Sequence, residues 1–126
     1  RIINGYLMDN YISRILGLAR RAGYIVFGTT LVRDAVRGKK KPYLVLLASD
    51  ASENSYKRIY DSCVFYKTPL AVTDITGEEL GKIIGKGSDV VCVALTDEGM
   101  AKAIINKLDK KMFISAENGE SAGGRA

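Results

Sequence analysis

The sequence predicts an α/β fold, a three-layer α/β/α sandwich around a four-stranded sheet that is mixed or mostly parallel. Three observations carry that expectation. Helical and strand-like patterns alternate along the whole chain with short connections, the order expected when strands are separated by covering helices. Two runs, Tyr43–Ala48 and Val90–Leu95, are continuously apolar, as in strands covered on both faces. The third is size: 126 residues with 47% hydrophobic content are enough for one domain to bury a core without staples.

The elements follow in order. From Met8 to Ala22, Tyr11, Ile12, Ile15, Leu16, Ala19 and Ala22 recur at helical spacing, Arg14, Arg20 and Arg21 stay off that stripe, and Gly23 is the stop. Tyr24–Phe27 is a short strand. Gly28 then turns the chain into a helix, with Thr29 or Thr30 as the expected N-cap because a threonine hydroxyl accepts from an orphan backbone N–H. At about 100° per residue, Thr30, Arg33, Asp34 and Arg37 share one face of this helix and Val32, Ala35 and Val36 the other. Lys39-Lys40-Lys41 forms a basic exit. After the Tyr43–Ala48 strand, Ser49-Asp50-Ala51-Ser52 supplies turn and cap chemistry for a helix from Glu53 to Tyr66. Pro69 separates that helix from the strand Leu70–Val72. Thr76-Gly77-Glu78-Glu79 fits a capping box and opens a helix carrying Leu80, Ile83 and Ile84. Gly85-Lys86-Gly87-Ser88-Asp89 ends it, the Val90–Leu95 strand follows, and Thr96 or Asp97 caps a last helix to Leu108. Met112-Phe113-Ile114 is a candidate final extended piece. The domain is expected over 8–114, with 1–7 as a leader or cloning remnant and 115–126 as a small, polar, glycine-rich disordered tail.

Charge is unevenly placed. The net formal charge is +5, and between Arg14 and Lys41 there are eight Lys or Arg against one acid, Asp34, a local balance of +7. The rest carries 11 bases and 13 acids, so the basic residues gather where a nucleic-acid binder would keep them. There is no histidine, which removes Ser-His-Asp and Cys-His catalysis and histidine-based zinc sites. Cys63 and Cys92 stand singly in apolar surroundings and read as buried free thiols of a reducing cytoplasm. Gly85-Lys86-Gly87-Ser88 is not a nucleotide loop: the preceding glycine spacing is wrong, and the segment leaves a helix and enters a strand. No signal peptide or membrane-length apolar run is seen. No catalytic residue, metal ligand or cofactor is expected.

Leu16-Gly17-Leu18-Ala19-Arg20-Arg21-Ala22-Gly23 followed by Gly28 at a helix start, Leu47-Ala48-Ser49-Asp50-Ala51-Ser52-Glu53-Asn54, Glu79–Gly85 and Val93–Gly99 together resemble the kink-turn-binding ribosomal protein superfamily of archaeal L-seven-Ae and eukaryotic L-thirty-e type. The small bacterial YlxQ-type branch is the nearest resemblance, covering Asp9 to Leu108 in order. It implies a non-enzymatic, ribosomal-protein-like fold that grips a kink-turn, a sharply bent RNA junction built on sheared G·A pairs. Contacts in such proteins come from the turn after the first strand with its helix, and from the loop before the last strand. The candidate RNA-binding residues are therefore Gly28, Thr29, Thr30, Leu31, Arg33 and Arg37, together with Lys86, Gly87 and Ser88. A kinked junction exposes base edges that regular A-form RNA hides, and a helix N-terminus suits its phosphates.

The chain departs from the superfamily's Gly-x-Asn-Glu-x-x-Lys pattern. Thr30 stands at the Asn position, Leu31 at the Glu position and Asp34 at the Lys position. A good bidentate base contact is worth roughly 1–3 kcal/mol of discrimination, so kink-turn readout is expected to be weaker than in the strongest binders. The expected partner is structured RNA, ribosomal or other, bound by a cytoplasmic monomer with ribosome association and no membrane contact. The alternative is a protein–protein adaptor that keeps the fold with weakened RNA readout and uses Leu31 as an exposed anchor.

Overall fold

In the computed structural model, the backbone is described for residues 2–108 and 113–114, and side chains for 11–108. Five helices, α1 (Ile2–Ala22), α2 (Thr29–Arg37), α3 (Glu53–Tyr66), α4 (Gly77–Ile83) and α5 (Glu98–Lys107), alternate with β1 (Ile25–Phe27), β2 (Leu44–Leu47), β3 (Leu70–Val72), β4 (Cys92–Leu95) and β5 (Phe113–Ile114). The three-layer arrangement is as expected. α1 begins at Ile2 rather than Met8, so the stretch read as a leader continues the helix. The expected tail at 115–126 lies outside the described residues.

The sheet order is β1-β4-β2-β3-β5. Only β2 and β3 are parallel; β4 runs antiparallel to both β1 and β2, and β5 antiparallel to β3. Of the two sheets the sequence allowed, the mixed one forms, with four core strands and the short β5 added at the β3 edge. Apolar residues on both strand faces explain the two helical layers. Leu44 and Leu46 pack with Ile12, Leu16 and Ala19 of α1, Leu80 of α4 and Ile104 of α5, while Val45 and Leu47 pack with Val32 and Val36 of α2 and Ile59 and Cys63 of α3.

Strand direction decides what stands at each end. Phe27 pairs with Val93, Leu47 with Cys92 and also with Val72, so β1, β2 and β3 finish where β4 starts. The start of α2, the β2–α3 and β3–α4 turns and the loop into β4 therefore share one end of the sheet. Hydrogen bonds tie them: Gly28 N–H donates to the Cys92 carbonyl (3.0 Å), Ser49 N–H to Ile75 (2.9 Å) and Val90 N–H to Gly77 (3.0 Å). Asp50, expected to serve α3, instead accepts from Gly77 N–H at 2.8 Å, supporting the α4 start across the sheet end. Ser52 caps α3 by accepting from Ser55 N–H, and Thr76 with Glu79 completes the expected capping box of α4.

The loop into β4 is seated on α4 at Gly81. Lys86 N–H donates to the Gly81 carbonyl at 2.8 Å, and a Cβ on Gly81 would overlap the Ser88 carbonyl. Gly85 and Gly87 hold φ of 77° and 83°, conformations that side chains resist. Gly81→Ala is expected to cost about 2 kcal/mol or more by forcing backbone apart. Gly17→Ala, whose Cβ would meet the Ile83 carbonyl at 3.8 Å, is expected to be neutral or better. Urea unfolding of both variants at constant m measures the difference.

Candidate nucleic-acid interface

α2 starts at Thr29, and its N-cap is Gly28 at φ 93° with no side-chain cap, rather than either threonine. The physical reason is the positive φ, which lets β1 pass into the helix without an extra capping residue and leaves Thr29 already inside the first turn. Val32 N–H donates to the Gly28 carbonyl at 2.9 Å. The N–H groups of Thr29, Thr30 and Leu31 have no protein acceptor among the described residues. They form an open row of donors at the positive end of the helix dipole. Thr30 and Leu31 are exposed, Leu31 at 58%, a high figure for a leucine.

The loop residues stand beside this turn. Lys86 Nζ sits 5.9 Å from the centroid of the Phe27 ring, and Phe27 immediately precedes Gly28. Arg20 of α1 approaches the same ring, its guanidinium carbon 5.1 Å from the centroid. Arg20 Nε also donates to the Ile84 carbonyl at 3.0 Å, so the last turn of α4 holds the guanidinium in place. Two cations thus share one aromatic ring at the sheet end where α2 opens. The sequence reading placed Arg20 among the residues of the resemblance but not in the site, because its link to Ile84 spans 64 residues.

The expected arginine face of α2 is differently committed. Arg33 is half-buried and its Nε donates to Ser62 Oγ of α3 at 3.3 Å. Arg37 remains exposed but pairs with Asp34 at 2.7 Å, one turn back on the same helix. An exposed pair of this kind contributes well under 1 kcal/mol, yet it lowers the free positive charge of the face. Lys41 is occupied too: its Nζ donates to the carbonyls of Val36 (3.0 Å) and Gly38 (3.1 Å) at the C-terminal end of α2. Tyr56, Tyr60 and Tyr66 pack against the α2–α3 core.

No group of three or more His, Cys, Asp or Glu that could hold a metal is found among the described residues. Among them no helix is long and apolar enough to cross a membrane. Both cysteines are free and buried. Burial pushes the Cys63 thiol up to about 12, with the nearby Cys92 adding to the rise. Burial likewise pushes Cys92 up to about 12, against opposing hydrogen bonds from the Thr29 side chain and the Gly28 backbone.

Residues 11–105 match the Ribosomal protein L7Ae/L30e/S12e/Gadd45 family, and the chain belongs to it. Within the family it is 43% identical over 95 residues to the RNA-binding protein YlxQ of Bacillus subtilis (strain 168), a match covering 75% of this chain and 92% of that protein. It is 34% identical over 88 residues to the RNA-binding protein YlxQ of Enterococcus faecium, covering 70% and 82%. A solved structure of a protein with unknown function from Bacillus halodurans superposes with a TM-score of 0.69 at 32% identity, covering 77% of this chain and 94% of the other. The chain therefore sits beside the YlxQ proteins in this family, as the sequence resemblance indicated.

A thiol held near 12 stays protonated through neutral pH, where the thiolate is the reactive species. The expected outcome is that a disulfide-exchange reagent at pH 8 titrates neither cysteine in the folded protein and both in denaturant. Above the ordinary thiol value of 9, unfolded cysteines ionise and the buried pair does not, so stability falls as pH rises through that range.

Proposed function

We propose that the chain is a non-enzymatic RNA-binding protein that takes a sharply bent RNA at the sheet end formed by the β1–α2 turn and the loop before β4. The observation that carries this reading is the meeting of Arg20 and Lys86 on the Phe27 ring beside the uncapped first turn of α2. Backbone N–H donors and two anchored cations address phosphates, and the exposed Thr30 and Leu31 lie where base edges of a bent junction would face the helix. The RNA-binding names of the YlxQ relatives support the choice of partner. Gly87 and Ser88 serve by holding Lys86 in position through the Gly81 seat. Arg33 and Arg37 contribute to the field of the surface, and only Arg37 is free enough to reach a phosphate after releasing Asp34. The protein acts as a cytoplasmic monomer associated with ribosomal or other structured RNA.

Kink-turn specificity is the finer part of this proposal. Thr30 offers one hydroxyl, Leu31 offers no acceptor for a guanine, and Asp34 is negative where superfamily binders are positive. The protein is therefore expected to prefer a kinked RNA over a straight duplex of equal length by a modest factor. The exposure of Leu31 favours one competing role, a protein adaptor. A partner captured after nuclease treatment and lost in Leu31→Ala would replace the RNA reading.

If three or four phosphates are engaged, log K against log[salt] has a slope of about −2 to −4. Arg20→Ala with Lys86→Ala should weaken binding of a G·A-containing kinked RNA by roughly 10- to 100-fold and lower the slope by about 2. Unchanged affinity in that double variant removes the site. Separately, Leu31→Glu with Asp34→Lys should tighten kinked-RNA binding about tenfold or more while leaving straight duplex unaffected, read by titration against both RNAs.

A further inference from the structure

The opposite end of the sheet carries a second cationic surface, and it is aromatic. Phe65, near the end of α3, is 76% exposed, the largest exposure among the large hydrophobic side chains of the described residues. Its ring meets Tyr66 edge-on at 4.8 Å, and Lys41 Nζ lies 4.7 Å from the Tyr66 centroid. These contacts tie the end of α3 to the lysine-rich exit of α2. Lys39 and Lys40, beside Lys41, are exposed, as is Lys67, which closes α3.

Tyr43 completes the surface. It is 45% exposed and donates its N–H to the Leu95 carbonyl at the end of β4. Val45 pairs with Leu70 in the parallel β2–β3 register, and continuing that register by two residues sets Tyr43 opposite Thr68, next to Lys67. Side-chain alternation puts Tyr43 on the same side of the sheet as Val45, which is the side α2 and α3 cover. No carboxylate occurs between Asp34 and Asp50 or between Asp61 and Asp74, and Asp61 itself pairs with Lys57 at 3.7 Å. The result is an open aromatic face bordered by lysines, where the nearest acid along α3, Asp61 one turn before Phe65, is paired with Lys57.

We propose that this end is a second binding surface, for single-stranded RNA, in which a base stacks on Phe65, Tyr43 lends a further ring, and Lys39, Lys40 and Lys67 follow the phosphates. Charge complementarity selects a polyanion. An exposed ring among flexible lysines suits unpaired bases, which offer a π-face to stack, better than a closed duplex, which does not. Lys41 plays a supporting part by fixing the ring of Tyr66 beneath Phe65. The surface stands on other residues than the α2 opening, so it holds or fails independently of the bent-RNA reading.

The test measures binding of a fluorescent single-stranded 10-nucleotide RNA and of a kinked RNA duplex to the full chain. Phe65→Ala should weaken the single strand roughly tenfold and leave the kinked RNA unchanged, and Phe65→Trp should restore binding. An abasic strand of equal charge should bind the wild type about as weakly as the normal strand binds Phe65→Ala. Lys39→Ala with Lys40→Ala should lower the salt slope for the single strand by about 1.4. Because Phe65 is largely in solvent, thermal melts of all these variants should overlay the wild type. The proposal is overturned if Phe65→Ala binds the single strand normally, if the loss follows Arg20→Ala with Lys86→Ala instead, or if abasic and normal strands bind alike. Capture of a protein through Phe65 with single-strand binding intact also overturns it.

Discussion

β4 runs between β1 and β2, antiparallel to both, and that direction sets the arrangement of the whole molecule. Because β4 starts where β1 and β2 stop, the loop entering it lies beside the turn leaving β1. Gly28 N–H donating to the Cys92 carbonyl closes this junction, and the apolar Cys92–Leu95 run makes the closure energetically firm from both faces. A β4 of opposite polarity would send the Lys86 loop to the far end and leave the opening of α2 without a neighbouring cation. The pairing of a helix start with a glycine-hinged loop is thus a consequence of sheet topology before any side chain is considered.

Side chains then hold what topology brings together. Phe27, at the end of β1, is the shared platform, with Arg20 and Lys86 approaching its ring from α1 and from the loop. Two like charges near one ring repel, and the arrangement persists because each is held by something else: Arg20 by the Ile84 carbonyl, Lys86 by the bond from its own N–H to Gly81. The loop can lie this low on α4 only because position 81 has no side chain. Positions 81, 84 and 86 therefore act together, helix end and loop setting the place of a charge neither contacts through its own backbone alone.

Local signals were legible where their partners are near in sequence. The Ser52 cap, the Thr76–Glu79 box and Pro69 mark α3, β3 and α4 to within a residue, because each rests on chemistry spanning three or four positions. The alternation of elements likewise gave the three layers. Strand direction was not legible in β4, since a continuous apolar run reads the same in either polarity. The long-range commitments of Asp50 to Gly77, Arg20 to Ile84 and Arg33 to Ser62 were equally out of reach: the sequence shows a charge off the apolar stripe, not what the fold places in front of it. Periodicity assigned Arg33 and Arg37 to one outward face, and the packing of α3 alongside α2 drew one of them inward. Gly28 replaced the threonines as cap for a related reason, a backbone angle that composition does not reveal.

The local charge of +7 consequently does not form one patch. α2 runs antiparallel to the strand before it, so its two ends lie at opposite ends of the sheet, and the basic residues that look contiguous in sequence are divided by the helix between them. Arg20 joins Lys86, far away in sequence, at the opening of α2; at its exit Lys41, which follows Lys39 and Lys40, reaches the Tyr66 ring next to Phe65. In the intervening helix Asp34 balances Arg37, and the remaining charge, on Arg33, is half-buried and turned toward Ser62. At physiological ionic strength, with a screening length of about 8 Å, charges at the two ends act as separate fields. A folded anion that fits one end gains little from the other, and the two proposed RNA surfaces are therefore expected to act independently.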